Sequence, residues 1–178
     1  VALYADSRKP AASERVQKHV IDHQPDLLVM GYGLNDVRGG TPLEMFRQEL
    51  VELIKVVRQE CDPLIVLLGP NCVTEFTSPK PWWHADEHRF ETFNLVIKQV
   101  AESEECLFCE ILDAVGGAEW LVGYSRVHPN NLDHRLITHE IFETLARNCS
   151  GLAACSRRIE KTADRWRDES ALKADYGQ

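Results

Sequence analysis

Two short stretches hold residue types that do chemistry when a fold brings them together. One is "GLND", with Gly33, Asn35 and Asp36; the other is "YSRVHPNN", with Ser125 and His128. An asparagine amide N–H can be aimed at an oxygen that gains negative charge in a transition state, the arrangement of an oxyanion hole. A histidine can take a proton from a nucleophile and return it to a leaving group. Side by side they would serve acyl transfer. An acid on the second ring nitrogen fixes the imidazole tautomer and stabilises the imidazolium. Ser125, three residues before His128, can accept a hydrogen bond but brings no charge.

Each stretch also has a plainer reading. Asn35-Asp36 alone is an ordinary turn after a strand, and His128-Pro129 is a loop dipeptide with Asn131 capping the next helix. "HADEH" sets His84 and His88 four apart, but it lacks the glutamate of HExxH and a third ligand, so a solvated helix start is expected and no metal. His134 and His139 belong on the helix surface or packed at its edge. "CLFC" has CxxC spacing without a second pair, inside a strand-like run. Cys72 and Cys106 sit in or beside apolar runs, where free thiols behave as small hydrophobes. The expectation is reduced thiols in a cytoplasmic protein.

The elements that must position these residues alternate along the chain. "AASERVQKHVIDHQ" puts Val16, Val20 and Ile21 on one side at helical spacing. Leu27–Met30 is an apolar run like a parallel strand buried on both faces. "TPLEMFRQELVELIKVVRQE" reads as a helix with Thr41 as N-cap and Pro42 at the first helical position; Phe46, Leu50, Leu53, Ile54 and Val57 make its core stripe. "PLIVLLGP" is a second strand, "RFETFNLVIKQVAES" a helix, "CLFCEILDAV" a third strand and "NNLDHRLITHEIFETLARN" an amphipathic helix. Such alternation predicts an α/β domain, a parallel sheet with helices on both faces, whose ligands bind at the carboxyl ends of the strands. Both chemical stretches follow strands and can reach that rim. Trp82 and Trp83, in the loop after the second strand, reach it too. They would make a platform for a sugar ring or acyl chain, unless one plugs the core. No glycine-rich phosphate loop follows any strand, and no cofactor is expected.

The chain has 178 residues, enough for one domain with a real core, expected over 1–155. Twenty Lys+Arg against 28 Asp+Glu give a net charge of −8, which disfavours nucleic acid and anionic membrane surfaces as partners. No apolar run approaches a membrane span. Residues 156–178 form a charged tail of helical pattern with Ile159, Ala163 and Trp166 on a narrow apolar edge. That edge fits either the domain surface or a partner subunit, the latter giving a homodimer.

Over roughly residues 1–147 the chain resembles the SGNH (GDSL-type) hydrolases. "GLND" at 33–36 matches their Gly-x-Asn-Asp block, and "VHPNNLDHRLITHEIF" matches their closing block, usually Asp-x-x-His-Pro-Asn followed by Gly-His. "FNLVIKQVAE" takes the place of a helix that usually carries Asn near its start. The resemblance implies a flavodoxin-like three-layer fold and hydrolysis of a small-molecule or carbohydrate ester through an acyl-enzyme, with neither cofactor nor metal. It makes Asn35 the oxyanion amide and His128 the base. Ser125 stands where the family has Asp, and Asp133 where it has Gly. "YADSRKP" fits the family's second glycine-bearing block, with Asp6 (or Ala5) at the glycine position. The first strand and nucleophilic serine would then precede Val1; the alternative nucleophile is Ser7. A non-catalytic relative that keeps the rim as a binding module is the rival expectation.

Overall fold

The computed structural model describes residues 10–71, 73–74, 76, 84–116, 118–149, 151 and 154. Three apolar runs become strands β1 (Leu27–Met30), β2 (Leu64–Leu68) and β3 (Leu107–Cys109), all parallel and in the order β1-β2-β3. Parallel neighbours need long crossovers. Helices α2 (Leu34–Gly39) and α3 (Leu43–Glu60) join β1 to β2, and α4 (Glu87–Ser103) joins β2 to β3. Helix α1 (Ala12–His19) precedes β1, while a short α5 (Leu112–Val115) and the long α6 (Asn131–Asn148) follow β3.

Side chains of a strand alternate between faces. On one face Leu28 pairs with Ile65, and Met30, Leu67 and Phe108 form the next row; all pack into the core with α1, α3 and α4. The α3 stripe of Phe46, Leu50, Leu53, Ile54 and Val57 is buried there as its spacing predicts. The other face carries Val29, Val66 and Leu107 in one row, with Cys109 beyond. Val66 and Cys109 are fully buried, and the Thr144 side chain of α6 hydrogen-bonds the Cys109 thiol. Helices thus lie on both faces of a parallel sheet, the flavodoxin-like three-layer α/β arrangement.

Four expectations need correction. β1 is not buried on both faces: Leu27 and Val29 are 43 % and 37 % exposed, because β1 is an edge strand among the described residues and α6 reaches the sheet at β3. Thr41 is not the cap of α3, whose N-cap is Pro42; the Thr41 hydroxyl donates instead to Asp36 Oδ1 at 3.2 Å. β3 ends at Cys109 because Glu110 leaves the ladder: its carboxylate accepts the Leu112 N–H at 3.2 Å and starts α5. α6 buries only Asp133 and leaves Leu132 and Phe142 exposed, so it is a weaker core helix than its pattern suggests.

The chain divides into two compact units, Val1–Thr144, which holds the sheet, and Leu145–Gln178. Among the described residues no helix is long and apolar enough to cross a membrane, and Cys61, Cys106, Cys109 and Cys149 are free thiols. Burial pushes the Cys106 and Cys109 thiols up, so neither is an activated thiolate. Cys72, Cys155 and the tail from 156 lie outside the described residues.

Candidate active site

The rim at the carboxyl ends of the strands is built from close backbone approaches. After β1 the chain turns at Gly33, whose φ of +120° is one that side-chain-bearing residues rarely adopt. A Cβ there would also lie 3.3 Å from Ile97 Cδ1 and 3.7 Å from Phe46 Cζ. This turn starts α2 at once, which places Asn35 and Asp36 in its first turn. Asp36 points inward and is 1 % exposed, receiving Thr41; Asn35 points outward. The Asn35 side chain is exposed and makes no hydrogen bond among the described residues.

At the end of β2, Gly69 lets α4 approach: a Cβ there would come within 2.3 Å of Asn94 Oδ1. The Asn94 amide donates to both Glu110 carboxylate oxygens, at 3.0 and 2.9 Å. This clamp holds the ends of β2 and β3 against α4. The sequence placed an asparagine-bearing helix here but did not foretell the clamp, because Asn94 and Glu110 meet only across the fold.

His128 sits on a loop closed by an antiparallel bridge between Val122 and Pro129. Gly123 N–H donates to the His128 carbonyl at 2.7 Å, and Asn130 N–H to the Leu121 carbonyl at 3.0 Å. Buried Val127 anchors the loop, and Arg126 turns it with a left-handed φ of 57°. The Arg126 carbonyl accepts the Thr74 N–H at 3.1 Å, tying this loop to the one that follows β2. The imidazole itself is exposed. Ser125 Oγ lies 3.0 Å from His128 Nδ1, and it accepts the backbone N–H of His128 at 3.0 Å and of Val127 at 3.4 Å. Ser125 is therefore a direct hydrogen-bond partner of His128.

Asn130, not Asn131, caps α6: its Oδ1 accepts the N–H groups of Leu132 and Asp133 at 2.9 and 3.0 Å. Sequence alone does not separate Asn130 from its neighbour Asn131, because either side chain could serve as the cap. Asp133 points into the protein, fully buried. Burial pushes its carboxyl above the usual carboxylate range, with the Asn71 side chain and the His134 charge pulling the other way.

Asp6, Ser7, Trp82 and Trp83 lie outside the described residues. Two further aromatics, not expected at the site, lie at and within the His128 loop: Trp120, just before it, is 67 % exposed and Tyr124 wholly so. Their nearness in sequence to His128 was the signal available. Beside them a cleft of about 510 Å³ is lined by Thr74, Glu119, Val122, Gly123, Tyr124 and Arg126. His84 and His88 are exposed, as expected of a helix start, and Asp86 caps α4 through the Arg89 N–H at 2.8 Å. Among the described residues no three His, Cys, Asp or Glu side chains are grouped to hold a metal.

The model of the GDSL-like lipase/acylhydrolase family matches residues 5–136. Among solved structures, the chain is similar to a lipase/acylhydrolase from Enterococcus faecalis, with 18% identity and a TM-score of 0.64, over 75% of this chain and 67% of that one. It is similar to an acetylxylan esterase from Geobacillus stearothermophilus at 20% identity and a TM-score of 0.61, over 75% and 65% of the two chains. An alpha/beta hydrolase from the metagenome of Lake Arreo gives 20% and 0.61, over 76% and 66%. The chain thus spans about two thirds of the length of the proteins it matches. At these identities the likeness shows the fold. A search of curated proteins finds no significant match.

Proposed function

Because the chain belongs to the GDSL-like lipase/acylhydrolase family, we propose that it supplies the base and an oxyanion donor of a serine-type carboxylic-ester hydrolase. The observation that carries this reading is the exposed His128 imidazole, set on a bridged loop and without a partner on Nε2 among the described residues. In this reading a serine hydroxyl attacks the ester carbonyl and passes its proton to His128. The Asn35 amide and the backbone N–H at Asp6 stabilise the resulting oxyanion, with Gly33 setting the approach of the Asn35 turn. His128 returns the proton to the departing alcohol, and water then releases the acyl group from the serine. The nucleophile comes from a serine preceding Val1 or, in the alternative, from Ser7.

The substrate class that fits best is an acetylated carbohydrate. Support comes from the exposed Trp120 and Tyr124 beside a cleft lined by Glu119, Arg126 and Thr74, since aromatic faces stack on sugar rings while polar groups bond hydroxyls. One structural neighbour is itself an acetylxylan esterase. Trp82 and Trp83 belong to the same proposal as further platform residues. A second reading, a binding module without turnover, is favoured by the neutral Ser125 in the position of an acid.

Labelling with a fluorophosphonate separates the two. The hydrolase reading expects one serine to be modified, at a rate that falls in His128→Ala, and mass spectrometry identifies that serine. Absence of labelling together with retained binding of acetylated xylo-oligosaccharide would establish the binding module.

A further inference from the structure

We propose that Ser125 is a positioning residue that holds neutral His128 in the Nε2–H tautomer, the reverse of what a general base requires. The inference rests on the reading of His128 as the histidine of the site. A serine hydroxyl has two lone pairs and one hydrogen. Two backbone N–H groups already converge on Ser125 Oγ, from His128 at 3.0 Å and Val127 at 3.4 Å. Both are fixed by the backbone of the loop, and an N–H cannot act as an acceptor. The remaining partner is His128 Nδ1, also at 3.0 Å.

If Nδ1 carried the proton, three N–H donors would crowd one oxygen with two lone pairs, and the hydroxyl hydrogen of exposed Ser125 would turn to solvent. If Nδ1 is unprotonated, the hydroxyl donates to it and every group in the cluster is paired. The ring proton is then on Nε2, which faces away from Ser125. A carboxylate in the same position would accept both backbone N–H groups and the Nδ1–H as well, and so would select the opposite tautomer. Ser125 therefore reverses the hydrogen bond. His128 presents a donor where the reaction needs an acceptor, and its basic form is a minor tautomer. In serine proteases the equivalent reversal of tautomer lowers turnover about 10⁴-fold.

The test is a ¹⁵N–¹H correlation spectrum of the full chain with ¹⁵N-labelled histidine at about pH 9, above the ordinary imidazole range. The His128 signals are assigned by their loss in His128→Gln. The expected result is a pyridine-like Nδ1 and a pyrrole-like Nε2, exchanged in Ser125→Asp and averaged towards an unbiased mixture in Ser125→Ala. Because Ser125 is exposed, these variants are expected to fold, and the amide spectrum checks that they do. A pyrrole-like Nδ1 in the unaltered chain would overturn the proposal. So would an unchanged pattern in Ser125→Asp. Ester turnover is read separately: the expected tautomers without His128-dependent turnover in either protein would leave the positioning role standing and remove the hydrolase reading. Turnover that depends on His128, with Nδ1 protonated, would do the opposite.

Discussion

The Asn35 amide is exposed on the first turn of α2 and makes no hydrogen bond among the described residues, unlike Asp36 beside it. Its replacement should therefore leave the fold intact while removing an oxyanion donor. Asn35→Ala is expected to lower turnover of an acetate ester about 10²- to 10³-fold through kcat, with an unchanged melting temperature. A fall in stability without a fall in kcat would make Asn35 a turn residue only. Asp133 behaves in the opposite sense. Its folded carboxyl is raised by burial, so the stability it confers is complete below the ordinary carboxylate range and is lost as pH rises through the raised value. Asp133→Asn is thus expected to raise the melting temperature at pH 7, with the difference closing at about pH 4 and below. Thermal scans across that range would contradict this if the variant were less stable at pH 7. At this scale the sequence was informative about residue types and poor about partners. His128 and Asn35 stood out through the blocks that resemble a hydrolase family, and the place of Ser125 beside His128 came with the same resemblance. The Asn94–Glu110 clamp joins residues 16 apart and could not be.

The turns that aim these side chains depend on positions where a side chain does not fit. Gly33 combines a φ of +120° with contacts from Ile97 and Phe46, so Gly33→Ala is expected to cost about 1–3 kcal/mol and to disturb Asn35 as well. Denaturant melts and ester kinetics should both respond; a neutral effect on both would mean that the turn relaxes freely. At the start of α6, Asn130→Ala removes the acceptor for two N–H groups and is expected to cost about 0.5–2 kcal/mol, whereas Asn131→Ala should cost little. The reverse order would contradict the assignment of the cap. Long helices were legible because α3 and α4 repeat apolar residues at helical spacing. Helix α2 was not, because "LNDVRG" is six residues long and owes its form to the Gly33 turn.

In the molecule as a whole, the two faces of the sheet are unequally covered. Ile65 is 1 % exposed in the core between β2 and the helices, while Val29 is 37 % exposed on the opposite face of the β1 edge. Ile65→Ala is expected to cost about 2–5 kcal/mol and Val29→Ala about 1 kcal/mol or less, a contrast that urea titration resolves. Equal losses would show that β1 is covered on that face. The sequence could not reveal the difference, since Leu27–Met30 and Leu64–Leu68 are equally apolar and only strand order decides which lies at an edge. "GLND" follows β1, and the Arg126 carbonyl ties the His128 loop to the segment after β2; our proposal is that the two serve one ester-hydrolysing site. The most direct measurement is the rate of acetate-ester hydrolysis by the protein beside its His128→Ala variant. The account predicts turnover that falls to background when the imidazole is removed. Turnover that persists unchanged in His128→Ala would contradict it.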